Sequence, residues 1–199
     1  MTNLKIIGHR GARGLAPENT IEGLKKALEL GIDMIEFDVR VTSAGVPVLY
    51  HNRLPQDTSR LATLDEALKS IDGKMALYIE VKSGEPVEPI VKVLKNYRGK
   101  FYLASKNQPT LLLLHKLMPT VPKIVIESWS GIIATRRAKQ VDTKILAMNQ
   151  LWLWSGFITA MSRGGYQLYA YTLNNPAKAK RWAKFGLAGV VTDFPDRFR

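Results

Sequence analysis

The chain has 199 residues, 46% hydrophobic and 23% charged, the proportions of an ordinary globular protein able to bury one substantial core. It contains no cysteine, which excludes a disulfide framework, a thiolate nucleophile and a Cys-ligated zinc site. Lys and Arg number 29 against 17 Asp and Glu, and the net charge of +12 favours anionic partners such as phosphates, lipid headgroups or nucleic acid.

Short apolar runs alternate with amphipathic stretches from end to end. Strands are expected at 4–9, 33–41, 75–82, 101–105, 123–127, 144–149, 167–173 and 189–193. Helices are expected near 19–30, 64–71, 87–97, 108–118, 130–140, 154–163 and 176–185. The first helix places Ile21, Leu24, Ala27 and Leu28 on one stripe, with a capping box from Asn19 to Glu22 and Gly31 as its stop. Thr63 and Glu66 predict a second capping box. Eightfold alternation at this length predicts a compact TIM-type (β/α)8 barrel spanning 1–199 as a single domain, with an open doubly wound sheet as the competitor. After the second strand, the turn at Thr42–Gly45 is too short for a crossover, so Val46–His51 reads as an antiparallel return arm. Leu111–Leu114 and similar runs are far too short to span a bilayer, and Met1–Lys5 passes directly into a strand without a signal-peptide layout. The location expected from this is cytoplasmic.

Strand alternation sorts the side chains. Ile35, Phe37, Val39 and Val41 share one face of the second strand, and Glu36 and Asp38 share the other, roughly 7 Å apart. In 77–82, Leu77, Ile79 and Val81 oppose Tyr78, Glu80 and Lys82. Apolar faces against the helices turn the carboxylates into the barrel, and folding back at 42–45 brings His51 level with Glu36. Converging carboxylates repel, and a proton, a basic partner or a bound cation must offset that cost. Three oxygen-donor residues suit Mg²⁺ or Ca²⁺. The alternative is that Lys82 and Arg10 neutralise the acids as buried ion pairs. His9 and His51, at the ends of strand-like runs, form the natural acid/base pair, because imidazole titrates near neutrality. His115, on a helix without acidic company, reads as structural.

The ordered set His9-Arg10-Gly11, Pro17-Glu18-Asn19-Thr20, Ile35-Glu36-Phe37-Asp38-Val39, His51 and Ile79-Glu80-Val81-Lys82 resembles the glycerophosphodiester phosphodiesterase family. Tyr171-Thr172-Leu173-Asn174 and Gly189–Asp196 extend the likeness along nearly the whole chain. The resemblance implies a barrel related to phosphatidylinositol-specific phospholipase C. It implies metal ligands at Glu36, Asp38 and Glu80, an acid/base pair at His9 and His51, and phosphate contacts from Arg10 and Lys82. Glu18 would order the loop around His9. The implied reaction cleaves a glycerophosphodiester to glycerol 3-phosphate and an alcohol. Departures from the pattern are Asn52 where Asp usually follows the second histidine, Ala44 in the turn, Tyr171 for Trp, and a reduced insertion between Asn52 and Ile79. A more open site would admit bulkier diesters, including lysophospholipids.

A lysophospholipase D using the same residues, and a catalytically silent barrel that binds anions or lipids, are the competing readings. A specific nucleic-acid partner is not expected, because the basic residues form no stripe with interleaved aromatics. Arg136-Arg137-Ala138-Lys139 and Lys178-Ala179-Lys180-Arg181 read as solvated helix faces. Leu151-Trp152-Leu153-Trp154 reads as helix-packing aromatics, with an apolar rim at the barrel mouth as the alternative. Composition says nothing about oligomeric state.

Overall fold

Eight parallel strands close on themselves in the structure, a computed structural model that describes residues 4–198. They are β1 (Lys5–Gly8), β2 (Met34–Val41), β4 (Ala76–Val81), β5 (Phe101–Ser105), β6 (Lys123–Glu127), β7 (Ile145–Asn149), β8 (Gln167–Tyr171) and β9 (Gly189–Thr192). A further strand, β3 (Pro47–Leu49), runs antiparallel on β2. Because β1 pairs with both β2 and β9, the sheet closes into the expected TIM-type barrel with a short antiparallel return arm. The helices are α1 (Ile21–Glu29), α2 (Leu64–Ile71), α3 (Val87–Leu94), α4 (Gln108–Leu117), α5 (Gly131–Gln140), α6 (Ser155–Arg163) and α7 (Pro176–Ala183). After β9 a single 3₁₀ turn, Pro195–Phe198, stands in the place of an eighth helix.

Side-chain alternation divides the interior into an inner and an outer core. Ile35, Phe37 and Val39 of β2 and Leu77, Ile79 and Val81 of β4 pack outward against Leu24 and Ala27 of α1 and Leu64 and Leu68 of α2. Each large apolar side chain so buried stabilises the fold by about 1.5–3 kcal/mol. Met34, Tyr78, Tyr102, Ile124 and Tyr169 point inward and fill the barrel. Ala104 and Ala147 are small where their in-register neighbours, Glu80 and Tyr169, are large. Above this apolar floor the inward positions of β2 and β4 become acidic.

Several local expectations change. Thr20, not Asn19, caps α1: its hydroxyl accepts from Gly23 N at 3.1 Å, while Asn19 takes a left-handed φ of 54° and turns its amide elsewhere. The box between Thr63 and Glu66 forms in both directions. The hairpin between β2 and β3 pairs Val39 with Leu49, so continuing its register sets His51 opposite Phe37, one residue from the expected Glu36. The connection from β3 to β4, residues 50–75, contains α2 as its only helix. Arg137 is no solvated side chain. It is buried, and it donates from Nη2 to the carbonyls of Ser105 and Lys106 and from Nη1 to Ile126 O and Glu127 Oε2. The Leu151–Trp154 run does not pack as aromatics into the core either; Leu153 alone is buried there.

Candidate active site

The site lies where the C-terminal ends of β1, β2, β4 and β9 meet the return arm. Register makes it possible: Asp38 sits beside Glu80 across the parallel β2–β4 ladder, with Glu36 beside Tyr78 two residues below. One carboxylate oxygen from each of Glu36, Asp38 and Glu80 lies within 4.8 Å of the other two, and all three residues are buried. They line a cavity of about 190 Å³ together with His9, Arg10, Arg13, His51, Lys106 and Tyr171.

Burial raises the Glu36 carboxyl well above its usual range, and the neighbouring Asp38 and Glu80 charges push it the same way. A positive charge is missing from this cluster. Among the described residues, Glu36 Oε1 and Glu80 Oε2 accept no hydrogen bond, so both remain available as ligands. The all-oxygen donor set, the spacing and the charge demand together fit a hard divalent cation.

Asp38 is held differently. Burial alone would raise it, but Lys82, the Asn19 amide and Arg10 outweigh burial and hold it below the ordinary range. Asn19 Nδ2 donates to Asp38 Oδ2 at 2.9 Å, and Asn19 Oδ1 accepts from Asp38 N at 3.0 Å. That double tie explains why Asn19 left the helix cap.

Lys82 Nζ donates to Asp38 Oδ1 at 3.0 Å and to Glu80 Oε1 at 2.9 Å. Burial opposes its charge, yet Glu80 and Asp38 outweigh burial and raise its pKa. Its position, two residues beyond Glu80 at the C-terminal end of β4, puts this ammonium against both carboxylates, and a second ammonium, that of Lys106, lines the cavity.

Arg10 is positioned through its backbone. Its N–H donates to Glu36 Oε2 at 2.8 Å, and its φ of 50° bends the chain across the barrel mouth. Gly11 completes the bend at φ 90°, where a Cβ would fall 2.6 Å from the backbone of Gly23. The guanidinium donates from Nη1 to Glu18, whose second oxygen takes Arg13 at 2.7 Å. Arg10 Nε comes within 3.3 Å of Asp38 Oδ2, but its hydrogen points off line, so this is charge proximity and the buried Nε–H has no partner. An anionic oxygen in the cavity would satisfy it.

The two imidazoles have unequal supports. His9 Nδ1 lies 2.6 Å from Asp193 Oδ1, and Asn174 fixes that carboxylate by donating to Oδ2 at 2.9 Å. Burial works against the Asp193 charge, but the hydrogen bonds from His9 and Asn174 prevail and bring its pKa down to about 2. His51 Nδ1 lies 2.9 Å from Asn52 Oδ1, a neutral acceptor. Burial lowers the His51 pKa, and the Asn52 hydrogen bond only partly opposes it. Arg40 pins the arm by donating from Nε and Nη2 to the His51 carbonyl, and Glu85 in turn anchors Arg40 at 2.6 Å.

The structure therefore brings Glu36, Asp38, Glu80, His9, His51 and Arg10 to one cavity, with Glu18 and Asn52 beside Arg10 and His51 and Lys82 bonded to Asp38 and Glu80. His115 lies apart on α4. Sequence reasoning assigned no site role to Asp193, Arg13 or Lys106, and gave Asn19 only a helix cap. Asp193 was within reach: it follows the last strand, which in a closed barrel must lie beside β1 and so beside His9.

A sequence profile of the glycerophosphoryl diester phosphodiesterase family matches residues 9–107 and 90–197. YhdW of Bacillus subtilis strain 168, provisionally named a glycerophosphodiester phosphodiesterase, is 27% identical over 235 aligned residues covering 96% of this chain and 95% of that protein. A glycerophosphodiester phosphodiesterase of Caldanaerobacter subterraneus subsp. tengcongensis is 26% identical, covering 96% of this chain and 94% of that one. An Oleispira antarctica phosphodiesterase, solved in complex with the product sn-glycerol-3-phosphate, superposes with a TM-score of 0.91 at 25% identity over 98% of this chain and 94% of its own. The matched stretches carry both histidines, all three carboxylates and Asp193, and the chain belongs to the glycerophosphoryl diester phosphodiesterase family.

Proposed function

We propose that the chain hydrolyses glycerophosphodiesters to glycerol 3-phosphate and an alcohol, with His9 as general acid, His51 as general base, and a divalent ion at Glu36, Asp38 and Glu80. The observation that carries this reading is the convergence of those three carboxylates within 4.8 Å in the same cavity as both imidazoles and Arg10. The Oleispira relative, with sn-glycerol-3-phosphate as its product, supports the substrate class. Mg²⁺ or Ca²⁺ suits the oxygen donors. When bound, such an ion supplies Lewis-acid polarisation of a phosphoryl oxygen.

The chain's own groups do the rest. Arg10 offers its free Nε edge to the phosphate, and Lys106 adds charge from the opposite wall. Lys82 holds Asp38 and Glu80 in place and adds positive charge beside the phosphate. With its Nδ1–H given to Asn52, His51 keeps the Nε2 lone pair for the proton of the attacking oxygen, from water or from the substrate's neighbouring hydroxyl. His9, its Nδ1 held 2.6 Å from the Asp193 carboxylate, gives the Nε2 proton to the departing alkoxide as the P–O bond breaks. A cavity of about 190 Å³ is of a size for a glycerophosphoryl group.

Product identification tests the reading. Glycerophosphocholine with Mg²⁺ or Ca²⁺ should give glycerol 3-phosphate and choline, and a chelator should abolish turnover. Choline phosphate and glycerol as products, or indifference to the chelator, would overturn it. A second reading, that lysophospholipids also enter, is favoured by the short β3–β4 connection, which holds a single eight-residue helix. Comparable rates on glycerophosphocholine and lysophosphatidylcholine would support it, and strict preference for the former would end it.

A further inference from the structure

The barrel mouth carries an exposed apolar surface that the reaction does not use. Two βα connections build it. The segment from β6 into α5 presents Trp129, 67% exposed, and Ile132, 83% exposed; that from β7 to α6 presents Leu151 at 76%, Trp152 at 56% and Trp154 at 65%. β6 and β7 are paired neighbours, and a Cβ on Gly131 would come within 2.4 Å of the Phe157 ring on α6, so the two segments lie side by side. Both follow strand C-termini, which puts them on the face of the barrel that holds the catalytic cavity. Ser128, next to Trp129, is 3.4 Å from the hydroxyl of Tyr171, which lines that cavity.

The charge around this surface is as uneven as its polarity. From Ser128 to Thr192 the one acidic residue, Asp142, lies between α5 and β7 at the far end of the barrel, with Lys144 and Arg163, and Arg137 is buried against Glu127, so the mouth side of this stretch carries no acid. The first turns of α5, α6 and α7 contain no acid, whereas each of α1, α2 and α3 has one or more. Beside the tryptophans, Lys178 and Arg181 share a cleft of about 560 Å³ with Leu151 and Trp154. Aromatic side chains with a polar N–H settle at the headgroup level of a bilayer, and surrounding cations draw in anionic headgroups.

We propose that this surface docks the barrel mouth onto an anionic lipid bilayer, seating Trp129, Ile132, Leu151, Trp152 and Trp154 at the boundary between headgroups and acyl chains. A second copy of the chain is the poorer occupant, because pairing would set the same cations against each other. A single-stranded nucleic acid would stack on the tryptophans but leaves Ile132 and Leu151 without a purpose. Attachment is at the surface; no helix among the described residues is long and apolar enough to cross a membrane.

Vesicle binding tests the proposal, with tryptophan emission and co-sedimentation as readouts. The full chain should bind phosphatidylglycerol-containing vesicles with blue-shifted emission, bind pure phosphatidylcholine weakly, and lose affinity as salt rises. Trp129→Ser/Trp152→Ser should bind the anionic vesicles about tenfold or more weaker while hydrolysing soluble glycerophosphocholine at the unaltered rate. No binding to anionic vesicles would overturn the proposal. So would equal binding by the double variant, or a dimer in solution that the double variant breaks apart.

Discussion

The two imidazoles have unlike neighbours: a carboxylate, Asp193, stands behind His9, and an amide, Asn52, stands behind His51. An anionic neighbour favours the charged ring and a neutral one does not. Asp193→Asn should therefore lower kcat by about 10²–10⁴ with little change in KM. The Asp193 pKa of about 2 keeps the carboxylate ionised at any working pH; its share of stability is present above the usual Asp range and lost only as pH falls through that lowered value. Burial holds the His51 pKa below the ordinary 6.5, so the ring is neutral at pH 7 and activity should fall as pH drops through that depressed value. Asn52→Asp places an anion beside the ring and should move this acid limb of kcat/KM to higher pH. If Asp193→Asn moved the limb and Asn52→Asp did not, the acid and base would have to be exchanged. The sequence made both histidines visible as candidates because strand-end imidazoles beside acids are a recognisable combination. Asn52 was visible beside His51, but Asp193 was not assigned, since it lies 184 positions from His9 and meets it only because β9 closes on β1.

At the scale of elements, period-two alternation announced which face of β2 and β4 carries the clustered carboxylates, and short runs between helical stretches announced the barrel. What alternation does not reveal is which helix side chains reach over the strand ends. Arg137 is the clearest case. In a sequence it sits among Arg136 and Lys139 on a polar helix; in the barrel it clamps the C-terminal ends of β5 and β6 and holds the Lys106 carbonyl at 2.8 Å. Removing a buried, multiply bonded cation leaves Glu127 and several carbonyls without partners. Arg137→Met should cost about 3–5 kcal/mol, read as a shift in the urea midpoint. It should also raise KM for a small diester, because Lys106 loses its anchor. Arg137→Lys should recover little of either, since an ammonium cannot reproduce the forked geometry.

For the whole molecule the deciding quantity is the charge assembled inside the barrel. Glu36, Asp38 and Glu80 face two nearby cations, Lys82 and Arg10, which leaves one negative charge unbalanced in a buried site. Lys82 and Arg10 pair with the acids as the ion-pair alternative expects, while Glu36 keeps a raised pKa beside them. A divalent ion reverses the sign of the remainder, and the singly charged phosphodiester then cancels it. The stability of the empty barrel follows from the same balance. Because burial and its two acidic neighbours raise the Glu36 pKa, its protonated form favours folding, and that contribution fades as pH rises through the raised value. Glu36→Gln removes the charge that must otherwise be buried, so the metal-free variant should melt at a higher temperature than the metal-free wild type above neutral pH. The wild type should gain about 2.7 kcal/mol at a metal concentration 100-fold above Kd, and that gain should grow with pH as the ion displaces the proton from Glu36. In Glu36→Gln the gain should shrink sharply and turnover should vanish. A variant that melts lower than the wild type without metal, or that keeps the full metal-dependent gain, would show that Glu36 is neither the strained carboxylate nor a ligand.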